Sequence, residues 1–377
     1  MPDHTTFPDA EGPMPCPPPD LPSAVDLANR VFRPGGSGDM GKEYPLLFSQ
    51  SNAENLRIVK ARGRVVSLVG LCIRDADILG YRFRVVSVGS VCTDPAFRGG
   101  GLASALMEDA VAHSCSRGCS LMLISGDRTL YRRLGAVPVT AFLATTIPAE
   151  AAPAVSGTVR VSDAGLNNVP ALACLYQREP VRFRRNSDDW LALLRARMLM
   201  NRPADLFIAV QNGTPTAYAC VQRPARDGTA AIQEYAGSRC AVRLMIPWIC
   251  RHYSVPAVNL TLMPGDLEML HILQAEGLPT RPQSFAGTVC IIDPPVFFGT
   301  LGGLAAERTT HPDLTVSSLD QEVTFTLGAD STSWRGLAEI TSRVFEGLPA
   351  DAPSSPLTHA LREVFPVPLL WYGLNYV

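Results

Sequence analysis

Hydrophobic positions in the first 140 residues switch between helical spacing and strand-like runs. From Leu21 to Arg33 the apolar residues recur three and four positions apart, which predicts a helix. Apolar runs bounded by turn residues follow and predict strands. These strands cover residues 56–61, 65–72, 81–91 and 120–124. With a short helix over 129–134, the pattern indicates a mixed, mostly antiparallel sheet flanked by helices.

The same pattern recurs later in the chain. The segment "NLRIVKARGRVVSLVGLCIRD" resembles "DLFIAVQNGTPTAYACVQRPA", and Leu56 matches Leu206 at an offset of 150 positions. Further on, Gly126-Asp127 matches Gly265-Asp266 at an offset of 139 positions. The shared order predicts a duplicated domain. A glycine loop at 99–101 has no counterpart in the second copy, so we expect that copy to be degenerate.

The last segment has a different texture. A Pro-Pro pair at 294–295 suits a boundary, "EVTFTLGAD" alternates like a strand, and "SWRGLAEITSRVFEG" at 333–347 has helical spacing. The ending "WYGLNYV" is so apolar that we expect it to be packed. We therefore predict four parts. They are a disordered Pro-rich tail over 1–20, and domains over 21–150, 151–290 and 291–377.

Composition excludes several classes of protein. The net charge of −2 comes without a basic block, which argues against a nucleic-acid partner. The sequence has no run of eighteen apolar residues, which argues against a membrane span, and the first residues do not resemble a signal peptide. The ten cysteines contain no CxxC and lie mostly in apolar runs, which favours a reducing, cytoplasmic setting and no metal site. Whether the chain forms homo-oligomers stays open.

The stretch "VCTDPAFRGGGLASALMEDA" at 91–110 carries the candidate chemistry. If Leu102 begins a helix, the preceding amides lie at a helix N-terminus, where N–H groups lack partners and the helix dipole favours an anion. Such a terminus suits phosphate, and Arg98 adds a permanent cation. The alternative is a tight strand-to-helix turn with a surface arginine. The sequence that follows the glycines fits neither a P-loop nor a Rossmann fingerprint.

The segment resembles the acyl-CoA signature of the GNAT-superfamily acetyltransferases. The resemblance rests on "RGGGLA" at 98–103, on the preceding "SVCTDPAF" and on a downstream tyrosine. The layout is most similar to the enhanced-intracellular-survival (Eis-like) acetyltransferases. That resemblance implies an α+β fold with tandem GNAT-like domains, each a mixed, mostly antiparallel sheet flanked by helices. The second domain is then a degenerate copy, and a small sterol-carrier-protein-like (SCP2-like) α+β domain follows it.

The resemblance also implies that acetyl-CoA is the acyl-donor cosubstrate. Main-chain groups of one strand end then pair with its pantetheine arm, and the glycine loop holds its pyrophosphate. Gly126 and Asp127 lie where the family's chain passes the cofactor. The implied binding residues are Val91, Cys92, Thr93, Arg98, Gly99, Gly100, Gly101, Leu102, Ala103, Ser104, Gly126 and Asp127. Cys92 is better interpreted as a small strand hydrophobe than as a nucleophile.

Two catalytic roles follow from the same resemblance. Tyr131 in "TLYRRLGAVP" occupies the place of the family's general acid, which protonates the departing thiolate. The alternative for Tyr131 is a tyrosine packed under the sheet. In Eis-like enzymes the carboxylate of the last residue is the base. Here that residue is Val377, and the alternative is a tail that only covers a domain junction.

The resulting hypothesis is an acetyl-CoA-dependent N-acetyltransferase acting directly on a primary amine of a small molecule or protein. The rival is a non-catalytic acyl-CoA-binding sensor of GNAT fold, and a purely structural loop is a third possibility. The acceptor is open among aminoglycosides, polyamines, protein lysines and N-termini. Asp75, Asp77 and Glu234 either line an acidic pocket for a cationic amine or belong to solvated surface.

Overall fold

The chain divides into two compact units that do not follow sequence order. The structure is a computed structural model that describes residues 9–224 and 228–377. The first unit contains the chain up to residue 139 together with residues 286–367 and Val377. The second unit contains residues 140–285 and 368–376. The predicted boundaries at 150 and 290 therefore shift to 139/140 and 285/286.

The N-terminal part of the first unit follows the predicted order of elements closely. Its strands and helices are β1 (Ala10–Pro15), α1 (Leu21–Phe32), α2 (Met40–Glu43), β2 (Arg57–Ala61), β3 (Arg64–Ile78), β4 (Tyr81–Thr93), α3 (Leu102–Ser116), β5 (Leu121–Ile124) and α4 (Thr129–Arg132). The strand predicted to end at residue 72 continues to Ile78. It does so because β3 and β4 form one long hairpin, paired as far as Ile78 and Tyr81.

The second unit repeats this order of elements with a different start. Its strands and helices are β6 (Phe142–Pro148), β7 (Arg160–Asp163), α5 (Val169–Tyr176), β8 (Val181–Phe183), α6 (Ser187–Ala196), β9 (Met198–Leu199), β10 (Arg202–Gln211), β11 (Thr214–Gln222), β12 (Ala230–Gly237), α7 (Arg239–Tyr253), β13 (Ala257–Leu262), α8 (Leu267–Ala275) and β14 (Arg281–Gln283). Its central hairpin turns at Asn212-Gly213, where both φ angles are positive, as they are at Arg62-Gly63 in the first unit. Two matched turns of this kind agree with a duplication.

The chain then returns to the first unit. The returning elements are β15 (Thr288–Ile291), α9 (Pro294–Arg308), β16 (Thr315–Leu319), β17 (Glu322–Leu327), β18 (Asp330–Arg335), α10 (Leu337–Glu346) and α11 (Pro356–Val364). The last three strands form their own antiparallel sheet. The segment 291–377 is thus α+β, as predicted, and its likeness to a sterol-carrier-like domain stays a prediction.

The two large sheets have the same strand arrangement. In the first unit the order is β1-β2-β3-β4-β5-β15, and in the second it is β7-β10-β11-β12-β13-β6-β14. Neighbouring strands are antiparallel except for one parallel pair in each sheet, β4 with β5 and β12 with β13. The predicted fold, tandem GNAT-like α+β domains, is confirmed.

One strand in each sheet explains why the boundaries shift. β6 lies before the boundary predicted at 150 but pairs with β13 in the second unit, whereas β15 follows the second unit and pairs with β5 in the first. In each sheet, the strand that extends the parallel pair therefore comes from a part of the chain that does not adjoin that pair in sequence. Composition and periodicity carry no signal for this pairing.

The prediction of a disordered tail over 1–20 needs correction. Residues 1–8 lie outside the described residues, but Ala10–Pro15 is a strand that pairs with β2 from Ala10–Ala61 to Pro15–Arg57. Cys16 is fully buried. Proline is tolerated on an edge strand because an outward-facing position needs no N–H donor. The Pro-rich composition therefore marks an edge strand over 10–15 instead of a disordered segment.

Each unit has its own apolar core between sheet and helices. In the first unit, Leu106, Met107 and Ala110 of α3 pack with Val86 and Val88 of β4. In the second, Val242, Met245 and Ile246 of α7 pack with Ile232 and Leu260 from the parallel pair. Each core fixes where the helix after the parallel strand begins. Among the described residues, no helix is both long and apolar enough to cross a membrane.

Candidate active site

The strands β4 and β5 separate at the end of their parallel pairing. They pair from Val85–Leu121 to Val88–Ile124, and the N–H and hydroxyl of Ser125 both donate to the Val88 carbonyl oxygen at 3.0 Å. Beyond that point β5 ends, while β4 continues to Thr93. The last five residues of β4 thus lose their neighbour on the β5 side. The predicted pantetheine-binding residues Val91, Cys92 and Thr93 belong to this stretch.

A β-bulge lies in β4 where the strands separate. On β3, Leu68 and Gly70 are two positions apart, but their partners Cys92 and Gly89 are three positions apart. The extra residue gives β4 a local bend, and Ser90 takes a left-handed φ of 53°. A glycine inside a strand is a known signal for a bulge, so "VGSV" could have been interpreted this way from the sequence.

The predicted pyrophosphate loop starts helix α3. Gly101 is the N-cap with φ 76° and no side-chain cap, and Gly99 has φ 83°. Both positions need a left-handed backbone, which glycine adopts without strain. The amides of Leu102 and Ala103 occupy the first two helical positions, where no intrahelical partner exists. The predicted loop from Arg98 to Ser104, including Gly100, is therefore brought to one helix N-terminus.

Some of the loop's polar groups already have partners in the chain. The Arg98 Nε donates to the Thr93 carbonyl oxygen at 3.2 Å, and the Ser104 N–H donates to the Gly101 carbonyl oxygen at 2.9 Å. The Arg98 side chain is exposed. Its other guanidinium donors and the Ser104 hydroxyl are the groups that this loop can offer to a phosphate. The residues present fit a pyrophosphate, which needs N–H donors and positive charge.

The segment after β5 brings Gly126 and Tyr131 together. A Cβ placed on Gly126 would lie 3.4 Å from Cε2 of the Tyr131 ring. Tyr131 is only 4% exposed and packs in the core of the first unit, on the short helix α4. Both the catalytic and the packing interpretation of Tyr131 therefore begin from a buried ring beside the end of β5.

Asp127 is engaged by a neighbouring cation. Its carboxylate accepts hydrogen bonds from Arg132 Nε at 2.8 Å and Nη2 at 2.6 Å. These bonds hold the pKa of Asp127 below its usual value. The carboxylate is thus ionised and satisfied, which makes its main chain the part that is available to a ligand.

Val377 lies at the bulge. The residue is 4% exposed, and a Cβ on Gly89 would overlap its carboxyl carbon and oxygen. Only a glycine at position 89 leaves room for this group. The expected packed ending is confirmed: residues 368–376 belong to the second unit, where the Leu374 N–H donates to Glu234 and Asn375 accepts from Arg185.

Cys92 does not have the properties of a nucleophile. Burial raises the pKa of its thiol to about 12, against smaller opposing effects of arginines that include Arg30 and Arg128. A thiol with that pKa stays protonated at neutral pH. This agrees with Cys92 as a small strand hydrophobe. In the described part of the chain, no group of three or more His, Cys, Asp or Glu side chains is arranged to hold a metal.

The acids considered for an acceptor pocket are engaged elsewhere. Asp75 accepts from Arg84 Nε at 3.0 Å, and Glu234 accepts two hydrogen bonds of 2.7 Å from Arg185. Arg185 and Glu234 are both buried within the second unit. Neither carboxylate is free to attract a cationic amine, so this interpretation is not supported.

The comparison with protein families finds one match, and it covers the segment that holds this site. Residues 16–139 match the model described as "Acetyltransferase (GNAT) domain". These residues are thus similar to a GNAT acetyltransferase domain. The match covers the loop, the bulged strand and Tyr131 but ends before the second unit. No curated protein matches the sequence.

Solved structures similar to this chain have the same fold over nearly its full length. Eis1 from Mycobacterium abscessus has a TM-score of 0.65 at 15% identity and covers 98% of this chain and 100% of its own. A GCN5-related N-acetyltransferase from Anabaena variabilis has a TM-score of 0.63 at 16% identity, covering 94% and 96%. A GCN5-related N-acetyltransferase from Kribbella flavida has a TM-score of 0.61 at 14% identity and covers 96% of both chains. At these identities the likeness is one of fold, and it confirms the predicted Eis-like architecture at that level.

Proposed function

We propose that this chain is an acetyl-CoA-dependent N-acetyltransferase that transfers an acetyl group directly to a primary amine. One observation carries the proposal. The Val377 carboxyl group lies on Gly89, at the bulge where β4 leaves β5 and four residues before that strand ends at Thr93. A buried carboxyl group at this place is what a base for an incoming amine requires.

The donor is acetyl-CoA, held by residues of the first unit. The amides at the start of α3, with Arg98 and the Ser104 hydroxyl, are the groups for its pyrophosphate. Main-chain groups of Val91, Cys92 and Thr93 on the open side of β4 are the groups for its pantetheine arm. An added ligand strand is satisfied by such main-chain groups in the way that a neighbouring β-strand would be.

The proposed reaction is a single acyl transfer. The Val377 carboxylate takes a proton from the amine, and the nitrogen lone pair then forms a bond to the thioester carbonyl carbon. The carbon–sulfur bond breaks, and the Tyr131 hydroxyl gives its proton to the departing sulfur. Because the acceptor enters as an ammonium group, its nitrogen gives one proton to Val377 before the attack and a second proton to solvent as the amide forms. Amide and thiol are the products, Tyr131 regains a proton from solvent, and Val377 releases its own to solvent. No acyl-enzyme is needed, which agrees with the raised pKa of Cys92.

A Gly89→Ala variant tests the proposal most directly. The new Cβ would overlap the Val377 carboxyl group, and Gly89 has no positive φ that alanine would strain. We expect acetyl-CoA to bind as before, while amine-dependent thiol release falls by about a hundredfold, a typical contribution of a general base. A Val377 carboxamide made by peptide ligation removes the charge without adding volume and should give the same loss.

Two controls separate the proposal from its rival. Ser87→Ala changes a buried residue two positions away on β4 and should leave turnover intact. A wild-type protein that binds acetyl-CoA but releases no thiol with any amine would be a non-catalytic acyl-CoA sensor instead. Full turnover by both Gly89→Ala and the carboxamide would remove Val377 from the mechanism. The cytoplasmic location and the oligomeric state stay predictions.

A further inference from the structure

Ser90 carries a buried hydroxyl without a partner. The residue is 8% exposed, and its Oγ has no hydrogen-bond partner among the described residues. Two other buried serines of the first unit have partners: Ser67 Oγ lies 2.8 Å from Thr93 Oγ1, and Ser114 Oγ donates to the Ala110 carbonyl oxygen at 2.7 Å. Native structures leave few buried polar groups unpaired, so the Ser90 hydroxyl requires a partner beyond the described residues.

The backbone of Ser90 is unusual as well. It is the extra residue of the bulge and has a φ of 53°, a conformation that few residues other than glycine adopt. Left-handed non-glycine residues persist when the surroundings enforce them, and they cluster at active sites. Glycine would relieve this backbone, and alanine would avoid the unpaired hydroxyl. The chain keeps serine, although both the hydroxyl and the backbone conformation are unfavourable for folding.

The position of Ser90 identifies the atoms that it can meet. The preceding residue, Gly89, contacts the Val377 carboxyl group, and the last rung of the β4–β5 pairing is Val88–Ile124. Ser90 therefore shares the open end of β4 with the proposed base. An acceptor that delivers its amine to Val377 must bring two or three N–H groups to this buried place. One carboxyl group accepts only some of them.

We propose that the Ser90 hydroxyl binds the acceptor: its oxygen accepts a hydrogen bond from the amine nitrogen that Val377 deprotonates. This inference rests on the proposed N-acetyltransferase function. Two acceptors, a carboxylate oxygen and a hydroxyl oxygen, fix two of the N–H directions. The lone pair left after deprotonation then has a defined direction toward the acyl group. A serine hydroxyl suits this role because it accepts hydrogen bonds without adding charge.

The test compares Ser90→Ala with Ser114→Ala, a buried serine in the same unit whose hydroxyl already has its partner. Spermidine, kanamycin and Nα-acetyl-lysine amide serve as amines, with acetyl-CoA as donor. For Ser90→Ala we expect kcat/KM for the amine to fall about tenfold, mostly through KM, as for one lost hydrogen bond. The Kd for acetyl-CoA should not change. Ser114→Ala should leave both constants unchanged.

A stability measurement separates binding from a structural role. Because the described part of the chain offers the hydroxyl no partner, Ser90→Ala should keep its Tm or raise it by about 1–3 °C. A second variant, Ser90→Gly, also removes the left-handed strain and should lose the same amine affinity with a higher Tm. A lower Tm in both variants, with unchanged kinetics, would show that the hydroxyl serves only the fold.

The remaining outcomes distinguish this inference from the proposed function. If the wild type acetylates an amine and Ser90→Ala does so equally well, only the Ser90 inference fails. If Ser90→Ala slows the amine-free hydrolysis of acetyl-CoA as much as amine transfer, the hydroxyl contacts the thioester and the inference is wrong. If the wild type neither acetylates these amines nor binds them when saturated with CoA, measured by titration calorimetry, both proposals fail. If the wild type binds an amine without turnover, the Kd for that amine still tests the Ser90 inference: a higher Kd in Ser90→Ala supports it, and an unchanged Kd contradicts it.

Discussion

The two GNAT-like units contain the same strand–loop–helix arrangement but differ in the residues at the start of the helix. In the first, β4 leads through Gly101 into α3, and in the second, β12 leads through Ser238 into α7. Both helices have 15 residues, and both strands pair in parallel with the strand that follows the helix. Both strands also contain a bulge, with Gln233 as the extra residue of β12. The duplication therefore preserved the backbone plan in both copies.

The two copies differ in whether side chains of the protein bond to the main-chain N–H groups at the start of the helix. Gly101 offers no side chain, and the first amides of α3 stay available. In α7, the Ser238 hydroxyl accepts a hydrogen bond from the Ala241 N–H at 3.3 Å, and Arg239 pairs with Glu179 at 2.6 Å and with Asp266 at 2.9 Å. Tyr235 also donates to Asp266. The start of α7 is thus bonded to side chains of its own unit, and we expect it to serve stability instead of ligand binding.

The largest expected effect concerns Tyr131. Tyr131→Phe keeps the buried ring and removes only the hydroxyl, so acetyl-CoA affinity should persist while kcat falls about a thousandfold, within the range of general acid catalysis. Thiol-release assays measure kcat, and titration calorimetry measures the affinity for acetyl-CoA. Tyr235→Phe, which removes a hydroxyl that serves only the second unit, is the matched control. Equal kcat values for the two variants would mean that Tyr131 only packs.

The buried ion pair of Arg185 with Glu234 in the second unit should contribute strongly to the free energy of unfolding. Glu234→Gln leaves the Arg185 charge buried without its partner and should lower the free energy of unfolding by about 3 kcal/mol. Burial raises the pKa of Glu234, but the charge of Arg185 and the hydrogen bonds more than offset this, and the net shift is downward. The pair's contribution is thus fully present above the unfolded carboxyl pKa of about 4.3 and is lost as pH falls through the lower folded pKa.

Denaturant titrations between pH 3 and pH 8 check this expectation. The stability difference between wild type and Glu234→Gln should be constant near neutral pH and shrink in the acidic range. Glu339→Gln, which breaks an exposed pair with Arg343 one helical turn away, should cost no more than about 0.5 kcal/mol. A Glu234→Gln variant as stable as wild type at pH 7 would contradict the prediction.

Acetyl-CoA affinity should depend on the glycine loop of the first copy. Gly101→Glu places a carboxylate where phosphate should bind and forces a side chain onto a left-handed backbone, so the Kd should rise by about a hundredfold or more. Calorimetric titration of acetyl-CoA measures the change. Unaltered binding to a folded variant would leave the glycines as a structural turn.

The smallest effect concerns the corresponding residue of the second copy. Ser238→Ala removes the N-cap of α7 and should lower stability by about 1 kcal/mol, with no change in acetyl-CoA affinity. Thermal unfolding and the same titration report the two values. A loss of acetyl-CoA affinity in this variant would show that the second copy still holds a ligand and would end the contrast between the copies.

The sequence predicted the first helix, the central strands and the glycine loop within a few residues. These features are local: spacing sets the period of an element, and a left-handed backbone selects glycine at Gly99 and Gly101. The strand over 10–15 was missed because its prolines resemble a disordered tail. Ser90 was missed because an unpaired hydroxyl is a property of its surroundings, although "VGSV" signals the bulge itself.

By itself, the sequence determined the elements, the duplication and which copy has the glycine loop, because each of these depends on neighbours along the chain. Only the tertiary structure decided that β6 and β15 pair across the sequence boundaries, since strand pairing is set by packing between distant segments. It also decided that the Val377 carboxyl group meets Gly89. A chain terminus has no periodicity that predicts its place, and its position follows from what the rest of the fold leaves open.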